Sequence, residues 1–349
     1  MIAICWKQLP VYTARSIGSF VKASGEDVVV LRVPTTTFPI KGTVEMTGTR
    51  VIDVDLDDRR SIREVLGCYP EVIVCGGWRT PCFWRWIREC KRHGCRSIMC
   101  TDEPYRGRGW KEFLRMLRFR FCFSRLFDYM FVAGDGGIRK FHGYFGFPRE
   151  RVVVGLYAGD PKLFYDGEKI TERPRKFIYV GRYDENKNVI PMCEAFERAA
   201  SRCDADWSLE VYGGGPLEDD LKKHNSKRVK INGFIQAEDL GPLYRESRCF
   251  VLGSHAEQWG VVVHEACMSG CMLLLSNHVG SRFDFAKPEN SEQFDPDSVE
   301  DFARGFEAIM RKTESEQIKA QRMSIELGHQ FSPQVFAKRL MEMIDDLRK

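Results

Sequence analysis

Residues 248–270, RCFVLGSHAEQWGVVVHEACMSG, decide the fold because they read as a buried strand, a loop and a buried helix in succession. The run CFVL suits a strand that is covered on both faces. The run VVVHEACMS is too apolar all round for a helix that faces solvent. Four more apolar runs alternate with helix-like segments in the second half of the chain, which predicts a parallel sheet covered by helices. These runs are KFIYVGR (176–182), WSLEVYGGG (207–215), RVKINGFI (228–235) and CMLLLSN (271–277), and the helix-like segments begin near Asn186, Pro216, Glu238 and Gly260.

The first half of the chain has the same alternation, so the sequence predicts an α/β protein with two doubly wound, Rossmann-like domains. The stretch YAGDPKLFYDGEKITERPRK lacks periodicity and is rich in Gly, Pro and charge, as linkers are. Ser332 and Pro333 form a helix start, with Ser as the N-cap. The predicted domains are an amino-terminal domain (1–160), a linker (161–175), a carboxyl-terminal domain (176–331) and a terminal helix (332–349) that packs back toward the amino-terminal domain. The strand candidates of the first half are MIAICW, EDVVVLRV, RVIDVDL, EVIVCGG, RSIMCTD, YMFVAGD and RVVVGLY.

The composition of the 349 residues is that of a globular protein, with 43% apolar and 29% charged residues. No apolar run approaches the roughly 20 residues of a membrane span, and the opening MIAICW leaves no room for a signal peptide. We therefore expect a cytoplasmic protein. The 13 cysteines lack paired CxxC spacing, which favours reduced, buried thiols over disulfides or a zinc site.

The charge is unevenly distributed along the chain. Residues 1–165 carry 27 Lys and Arg against 17 Asp and Glu, whereas the remainder carries 26 against 32. Residues 79–125 concentrate the positive charge and interleave it with Trp and Phe, which predicts an anionic partner. An anionic inner-membrane surface, the phosphate of a lipid-linked acceptor and an ordinary core helix with a solvated Arg face all fit this pattern. Nucleic-acid binding is a weaker alternative, because no RRM, KH or helix-turn-helix signature is present.

Two glutamates in the opening stretch predict a binding site. Glu257 lies just before the predicted helix and Glu265 lies inside it, where an ionised carboxylate needs a partner. A structural arginine or backbone amides can serve, and so can ligand hydroxyls. The helix start follows the carboxyl end of a parallel strand, where open α/β sheets bind ligands. Its N–H groups at Trp259, Gly260 and Val261 favour a phosphate, so the combination suits a nucleotide-sugar.

The spacing E-x7-E from Glu257 to Glu265, followed by A-x-x-S-G, resembles the signature of retaining family-four glycosyltransferases of GT-B architecture. The segments FIYVGRYDENKN, LEVYGGGPLEDDLK and VKINGFI are similar to that family's preceding motifs, in the same order. The resemblance covers roughly residues 127–282. It implies two Rossmann-like domains that face a cleft.

The resemblance also implies individual roles. Arg182, Lys187 and Glu257 are the expected catalytic residues, with the two cations on the donor diphosphate and Glu257 on the transferred sugar. Glu265 is expected to accept hydrogen bonds from the ribose. No metal and no cofactor is required. The other residues expected to contact the nucleotide-sugar are Gly181, Gly213, Gly214, Gly233, Phe234, Ile235, Trp259, Gly260 and Val261.

The implied function is retaining transfer of a sugar from a UDP- or GDP-linked donor to a glycan or lipid-linked acceptor, in polysaccharide or glycoconjugate synthesis. A GT-B nucleotide-sugar epimerase is the alternative within the same fold. Asp53 and Asp55 have the D-x-D spacing of metal-dependent GT-A enzymes, although a strand that ends in acidic turn residues explains them more simply. Asp102 and Glu103 stand where many family members carry a histidine, and they either cap a strand end or orient an acceptor hydroxyl.

Overall fold

The chain forms two compact units, and the second is inserted before the terminal helix of the first. Unit 1 comprises residues 1–158 and 331–349, and unit 2 comprises residues 159–330. The structure is a computed structural model that describes residues 1–34, 42–77, 80–105, 107, 109–204 and 206–349.

Unit 1 contains a parallel sheet of seven described strands in the order β3-β2-β1-β4-β5-β6-β7. The apolar runs predicted as strands all form strands here, because the central ones are buried on both faces. The strands are β1 (Ile2–Lys7), β2 (Val28–Val33), β3 (Arg50–Asp53), β4 (Val72–Gly76), β5 (Arg96–Thr101), β6 (Tyr129–Val132) and β7 (Val152–Val154). The helices are α1 (Val11–Ser24), α2 (Thr43–Met46), α3 (Ile62–Leu66), α4 (Pro81–Arg92), α5 (Trp110–Arg118), α6 (Asp135–Ile138) and, at the end of the chain, α14 (Pro333–Arg348).

The terminal helix α14 packs on α1 in unit 1. The Ser332 hydroxyl accepts the Val335 N–H at 3.1 Å, so the N-cap predicted from the sequence is present. The Tyr129 hydroxyl on β6 donates to Asp346 at 2.7 Å. This contact fixes the far end of the helix against the sheet.

The cysteines follow the prediction of reduced thiols. All thirteen are free, and all are buried except the exposed Cys68 and Cys122 and the half-buried Cys203. Burial raises the pKa of Cys5 and Cys75, which are partners across β1 and β4. These core thiols therefore stay protonated and behave as small apolar side chains.

Unit 2 contains a parallel sheet of six described strands in the order β10-β9-β8-β11-β12-β13. The chain leaves β8 toward one edge and returns at β11 to build the other edge, so the topological switch point lies between β8 and β11. The strands are β8 (Lys176–Arg182), β9 (Ser208–Gly214), β10 (Val229–Ile231), β11 (Cys249–Leu252), β12 (Met272–Ser276) and β13 (Ser291–Phe294). The helices are α7 (Val189–Cys203), α8 (Glu218–Lys222), α9 (Ala237–Arg245), α10 (Val261–Met268), α11 (Arg282–Phe285), α12 (Val299–Met310) and α13 (Glu314–Gly328).

The predicted linker, residues 161–175, lies in unit 2. Ile170 is fully buried, and its N–H donates to the side chain of Gln321 at 3.0 Å. The Arg173 guanidinium donates to the Ser247 carbonyl at 3.1 Å. Polar side chains therefore attach this segment to the unit, although its sequence has no apolar periodicity.

None of the described helices is long and apolar enough to cross a bilayer.

Candidate functional site

The loops that follow β8 and β11 are bonded to each other at the switch point of unit 2. The Asn186 side-chain amide donates to the Ala256 carbonyl at 3.0 Å, and the His255 N–H donates to the Asn186 carbonyl at 2.8 Å. These two bonds join segments that are 70 residues apart in the chain. They place the carboxyl ends of the two central strands in one polar region.

An ion pair between Lys187 and Glu257 lies in this region. Lys187 closes a 3-10 turn whose cap is Asp184, which accepts the Lys187 N–H at 3.1 Å. The Ser254 hydroxyl donates to the Glu257 carboxylate at 3.3 Å. The lysine and glutamate side chains keep 19% and 16% of their surface exposed. The pair is thus partly desolvated, which strengthens its interaction, but solvent still reaches it.

The amino end of α10 lies beside this pair. Gly260, the N-cap, has φ of +84°, and a Cβ there would lie 3.1 Å from Cγ of Glu257. The Glu257 side chain therefore lies against the start of the helix. The first N–H groups of a helix have no partner within it and carry its positive end, so this position favours an anion.

The Trp259 side chain is buried, whereas the sequence pointed to its main-chain N–H. Its indole N–H donates to Asp284 at 2.8 Å, and its ring packs against Phe285 at 5.4 Å between centroids. A Cβ at Gly280 would lie 1.7 Å from the Gln258 carbonyl oxygen. A glycine is therefore needed where the loop after β12 passes under the loop before α10.

Glu265 lies inside α10 and is half-buried. The Tyr244 hydroxyl donates to its carboxylate at 3.4 Å. Burial, together with the neighbouring carboxylate, raises the pKa of Tyr244 well above its usual value, so the phenol remains a donor. The contact orients Glu265 and leaves acceptor capacity on a carboxylate that has about four lone-pair sites.

His264, which was not a predicted site residue, holds α10 in place. Its Nδ1 accepts the Gly159 N–H at 2.9 Å, and its Nε2–H donates to the Gly328 carbonyl at 2.7 Å. Burial lowers the pKa of His264 to about 4, so the ring is neutral and its tautomer is fixed. The first and last segments of unit 2 are thus bonded to the residue next to Glu265. A polar residue in an otherwise apolar helix was the signal available in the sequence.

Arg182 ends strand β8 at the same edge of the sheet. Its side chain is 56% exposed, and its Nε lies 3.3 Å from the Asp184 carboxylate. Asp184 therefore contacts both the predicted cation at the strand end and, through the cap, the loop that carries Lys187.

The glycine run after β9 has two different structural roles. Gly213 has φ of +153°, and a Cβ there would lie 1.8 Å from the Gly181 carbonyl oxygen, so the neighbouring strand requires glycine. At Gly214 the nearest atom is a Glu218 carboxylate oxygen at 3.8 Å, so the backbone is open. A ligand can therefore approach the backbone closely at Gly214, whereas Gly213 is needed for packing between the strands.

The predicted base-contacting residues lie beside these glycines. The Gly213 N–H donates to the Gly233 carbonyl at 3.2 Å, which places the loop after β10 against the end of β9. Phe234 is largely exposed in that loop, and Ile235 is half-buried. An exposed aromatic ring beside an open backbone can stack on a planar base.

Unit 1 carries the acidic residues that were considered for the acceptor side. The Tyr157 hydroxyl donates to Asp102 at 3.4 Å, and Lys140 donates to Glu103 at 2.8 Å. Both oxygens of Asp53 accept hydrogen bonds from Arg32, at 2.7 and 2.8 Å. Among the described residues, no group of three or more His, Cys, Asp or Glu side chains has an arrangement that could hold a metal ion.

The basic segment 79–125 also belongs to unit 1. Arg79, Arg106 and Arg108 lie outside the described residues. The described part carries α4, β5 and α5.

The match to a known protein family lies in unit 2. Residues 164–325 match the family described as "Glycosyl transferases group 1". Over 120 residues the chain is 29% identical to the GDP-mannose:cellobiosyl-diphosphopolyprenol alpha-mannosyltransferase of Xanthomonas oryzae, covering 32% of this chain and 31% of that protein. It is 26% identical over 147 residues to the sulfoquinovosyl transferase SQD2 of Arabidopsis thaliana, covering 40% of this chain and 28% of that protein. The chain thus spans less than a third of the length of these relatives.

Solved structures of similar fold cover the whole chain. A glycosyltransferase from Rickettsia africae superposes with a TM-score of 0.76 at 12% identity, covering 100% of this chain and 98% of that one. Anabaena Alr3699/HepE in complex with UDP and glucose superposes with a TM-score of 0.72 at 12% identity, covering 99% of each chain. At this identity the likeness concerns the fold, which is the GT-B architecture expected from the sequence. The family match lies on the unit that carries the Lys187–Glu257 pair, and over residues 164–325 this chain is similar to the glycosyl transferases group 1 family.

Proposed function

We propose that the chain is a retaining glycosyltransferase that moves a sugar from a UDP- or GDP-linked donor to a glycan or lipid-linked acceptor, without a metal ion or cofactor. The observation that carries the proposal is the Lys187–Glu257 pair at the switch point of unit 2, beside the amino end of α10. This place combines a cation, a carboxylate and helix N–H groups. A sugar attached to a diphosphate is a ligand that uses all three.

The donor diphosphate is assigned to Lys187, Arg182 and the N–H groups at Gly260 and Val261. The departing nucleoside diphosphate gains negative charge in the transition state, so fixed cations stabilise that state more than the bound donor. Lys187 is already held by Glu257 and therefore does not need to be ordered when the donor arrives. Preorganisation of this kind is the main source of rate in sites that act by electrostatics.

The sugar groups are assigned to the two glutamates. Glu257 lies against the helix start and is placed to accept hydroxyls of the transferred sugar. Glu265, oriented by Tyr244, is assigned to the ribose hydroxyls. Gly214 and the loop 233–235 are assigned to the nucleotide, since the backbone is open and Phe234 is exposed there.

The relatives support the donor class. Two curated relatives are named for the transfer of sugars, one of them from GDP-mannose, and a structural neighbour is a complex with UDP and glucose. We extend this donor class to the present chain. The corresponding proposal for location is a cytoplasmic enzyme attached peripherally to the inner membrane leaflet through residues 79–125, in the synthesis of polysaccharide or glycoconjugate.

A thermal-shift panel of UDP-, GDP- and ADP-sugars tests the proposal, because a ligand that binds the native state raises the melting temperature. One UDP- or GDP-sugar is expected to stabilise the wild-type chain and the Glu292→Ala variant equally, and Glu265→Ala less. Glu292 is a matched control because it is a half-buried glutamate on β13 of the same unit. No response to any nucleotide-sugar would contradict the proposal.

Two further measurements test the reaction: the first distinguishes a transferase from an epimerase, and the second distinguishes retention from inversion. Consumption of the donor should depend on an acceptor, whereas an epimerase turns over the nucleotide-sugar alone. NMR of the product should show the anomeric configuration of the donor, and inversion would contradict retention.

A further inference from the structure

Helix α5 in unit 1 exposes apolar side chains and buries a charged one. Trp110, Phe113 and Leu114 follow the i, i+3, i+4 spacing of one helix face, and Phe121 lies in the π-helical segment Phe119–Phe123 that follows α5. Each of these four side chains is between 49% and 83% exposed, whereas the buried residue of α5 is Glu112. A helix on the surface of a globular protein normally buries its apolar face. The exposed apolar stripe, residues 110, 113, 114 and 121, therefore indicates a partner that is itself apolar.

A buried lysine fixes this orientation. The Nζ of Lys140 lies 2.9 Å from Oε1 of Glu112 and 2.8 Å from the Glu103 carboxylate, and the lysine side chain is only 3% exposed. Arg115 donates to the other oxygen of Glu112 at 3.2 Å. The acidic side of α5 is held inward by these bonds, so the apolar stripe must face outward.

A cavity of about 300 Å³ lies beside the helix and is lined by three arginines, aromatic rings and one carboxylate, Glu103, which is paired with Lys140. The Arg88 guanidinium lies 5.9 Å from the Trp84 ring centre, and the Arg118 guanidinium lies 5.2 Å from that of Phe123. Arg115 also lines the cavity. Within the part of the chain that the structure describes, neither Arg88 nor Arg118 forms an ion pair with a carboxylate. A guanidinium that packs against a ring keeps N–H groups that can bind a phosphate.

Exposed cations also surround the stripe. Lys111, Arg120 and Arg125 lie on the same helix or in the turns that follow it, and all three are exposed. An apolar stripe flanked by Lys and Arg is the pattern of helices that lie in the headgroup region of a bilayer. Because the exposed charges on and after α5 are positive, the lipid surface that complements them is anionic.

We infer that residues 110–125 bind anionic membrane lipid, with the apolar stripe at the boundary of headgroups and acyl chains. In this arrangement Arg88, Arg115 and Arg118 receive a lipid phosphate in the cavity. The inference rests on the peripheral attachment proposed above, and it names the contact residues and the headgroup chemistry.

Co-sedimentation with lipid vesicles tests the inference. The wild-type chain is expected to bind vesicles that contain phosphatidylglycerol more tightly than vesicles of phosphatidylcholine alone, and high salt is expected to weaken this binding. The double variant Arg88→Gln/Arg118→Gln should bind about 30-fold more weakly, since each cation near the surface contributes about a factor of five. The triple variant Trp110→Ser/Phe113→Ser/Leu114→Ser should lose at least as much. The control Leu56→Ser/Arg59→Gln removes an exposed apolar and a basic side chain elsewhere in unit 1 and should bind like the wild type.

Three outcomes would overturn the inference. One is equal vesicle binding by the wild type and both α5 variants. Another is displacement of the wild type from vesicles by equimolar glycerol phosphate, which would make the cavity a site for a soluble anion. The third is binding of the wild type to vesicles of phosphatidylcholine alone that is as tight as its binding to vesicles that contain phosphatidylglycerol. Donor-induced thermal stabilisation is measured on the same proteins: if it is absent while vesicle binding holds, the proposed transfer activity fails and the lipid site stands.

Discussion

Cations at the two ends of the strands in unit 2 have different surroundings. The amino edge is the side of the sheet where the parallel strands begin, and the carboxyl edge is the side where they end. At the amino edge, Arg248 is buried and donates to the carbonyls of Arg173 and Thr171, each at 2.8 Å, and to the side chain of Gln317 at 2.9 Å. At the carboxyl edge, Lys187 is paired with a carboxylate that solvent still reaches.

This difference separates scaffold from site. Donors that bind neutral backbone carbonyls in a buried setting cannot be exchanged for a ligand without leaving those carbonyls unsatisfied. Burial lowers the pKa of Arg248 and Arg173, which records how strongly both have been desolvated. A lysine that faces a partly exposed carboxylate can share its protons with a phosphate. The surroundings of each cation therefore indicate its role.

The comparison is tested most strongly by removing the cation of the amino edge. Arg248→Met should lower the free energy of unfolding by about 4 kcal/mol, because three hydrogen bonds from a charged group are lost and buried acceptors remain. Urea unfolding measures this loss. Donor affinity of the remaining folded protein should equal that of the wild type. A stability within about 1 kcal/mol of the wild type would remove the distinction between the two edges.

Removing the cation of the carboxyl edge should lower activity, whereas removing that of the amino edge should lower stability. Lys187→Ala is expected to reduce kcat/KM by about 10²- to 10³-fold, as for the loss of one fixed group that stabilises the transition state. The matched control is Lys176→Ala on β8, which also breaks a partly buried Lys–Glu pair, with Glu210 at 3.3 Å. The control should be destabilised but retain the kcat/KM of the wild type. Equal loss of activity in both variants would show that Lys187 acts through stability alone.

His264 provides a further test of the comparison. It lies in α10, which begins at the carboxyl edge, and yet its role is structural. Its folded pKa, about 4, is below the unfolded value near 6.5, so the unfolded chain binds the proton more tightly. The stability that comes from keeping His264 neutral is present in full above pH 6.5. About 3 kcal/mol of it is lost as the pH falls toward 4. Urea titrations across this range should show the loss in the wild type. The variant His264→Gln should be less stable at pH 7 and show a smaller dependence on pH, and an identical slope would contradict the assignment.

The smallest expected effect is on donor binding. Glu265→Gln should weaken the affinity for the donor by about tenfold, because a charged acceptor of ribose hydroxyls becomes neutral. Its melting temperature should stay close to that of the wild type, since Tyr244 can still donate to the amide oxygen. Calorimetric titration with the donor measures the change. If Glu292→Gln on the edge strand weakened binding as much, the effect would not belong to the site.

Most of the fold could be predicted from the sequence because apolar runs mark buried parallel strands. Twelve strands were identified in this way, and the structure confirms them. Strand β13 was missed because it is short, lies at the sheet edge and reads SEQF. The segment 161–175 was interpreted as a linker from its Gly, Pro and charge. What attaches it to unit 2 are hydrogen bonds such as that of Arg173 to Ser247, which no hydropathy pattern reveals.

The sequence could predict which residues lie at the carboxyl edge of the sheet in unit 2, but not their contacts. The spacing of Glu257 and Glu265 and the strand–helix order identified the edge of the sheet. The ion pair with Lys187 joins residues 70 apart, so it depends on the strand order, which the sequence leaves open. For the same reason the second function of the glycine run, packing Gly213 against Gly181, required the structure. In α5 the sequence could not decide between a core helix and a lipid-facing one, since the pairing of Glu112 with Lys140 sets its rotation.

The central claim is that the donor diphosphate binds at the switch point between β8 and β11. The most direct test is a crystal structure of the chain with the nucleotide that stabilises it best. The expected result is a diphosphate within hydrogen-bond distance of the Gly260 and Val261 amides and of the Lys187 ammonium, with Glu265 on the ribose. A nucleotide bound elsewhere in the chain, with the Lys187–Glu257 pair untouched, would contradict the assignment.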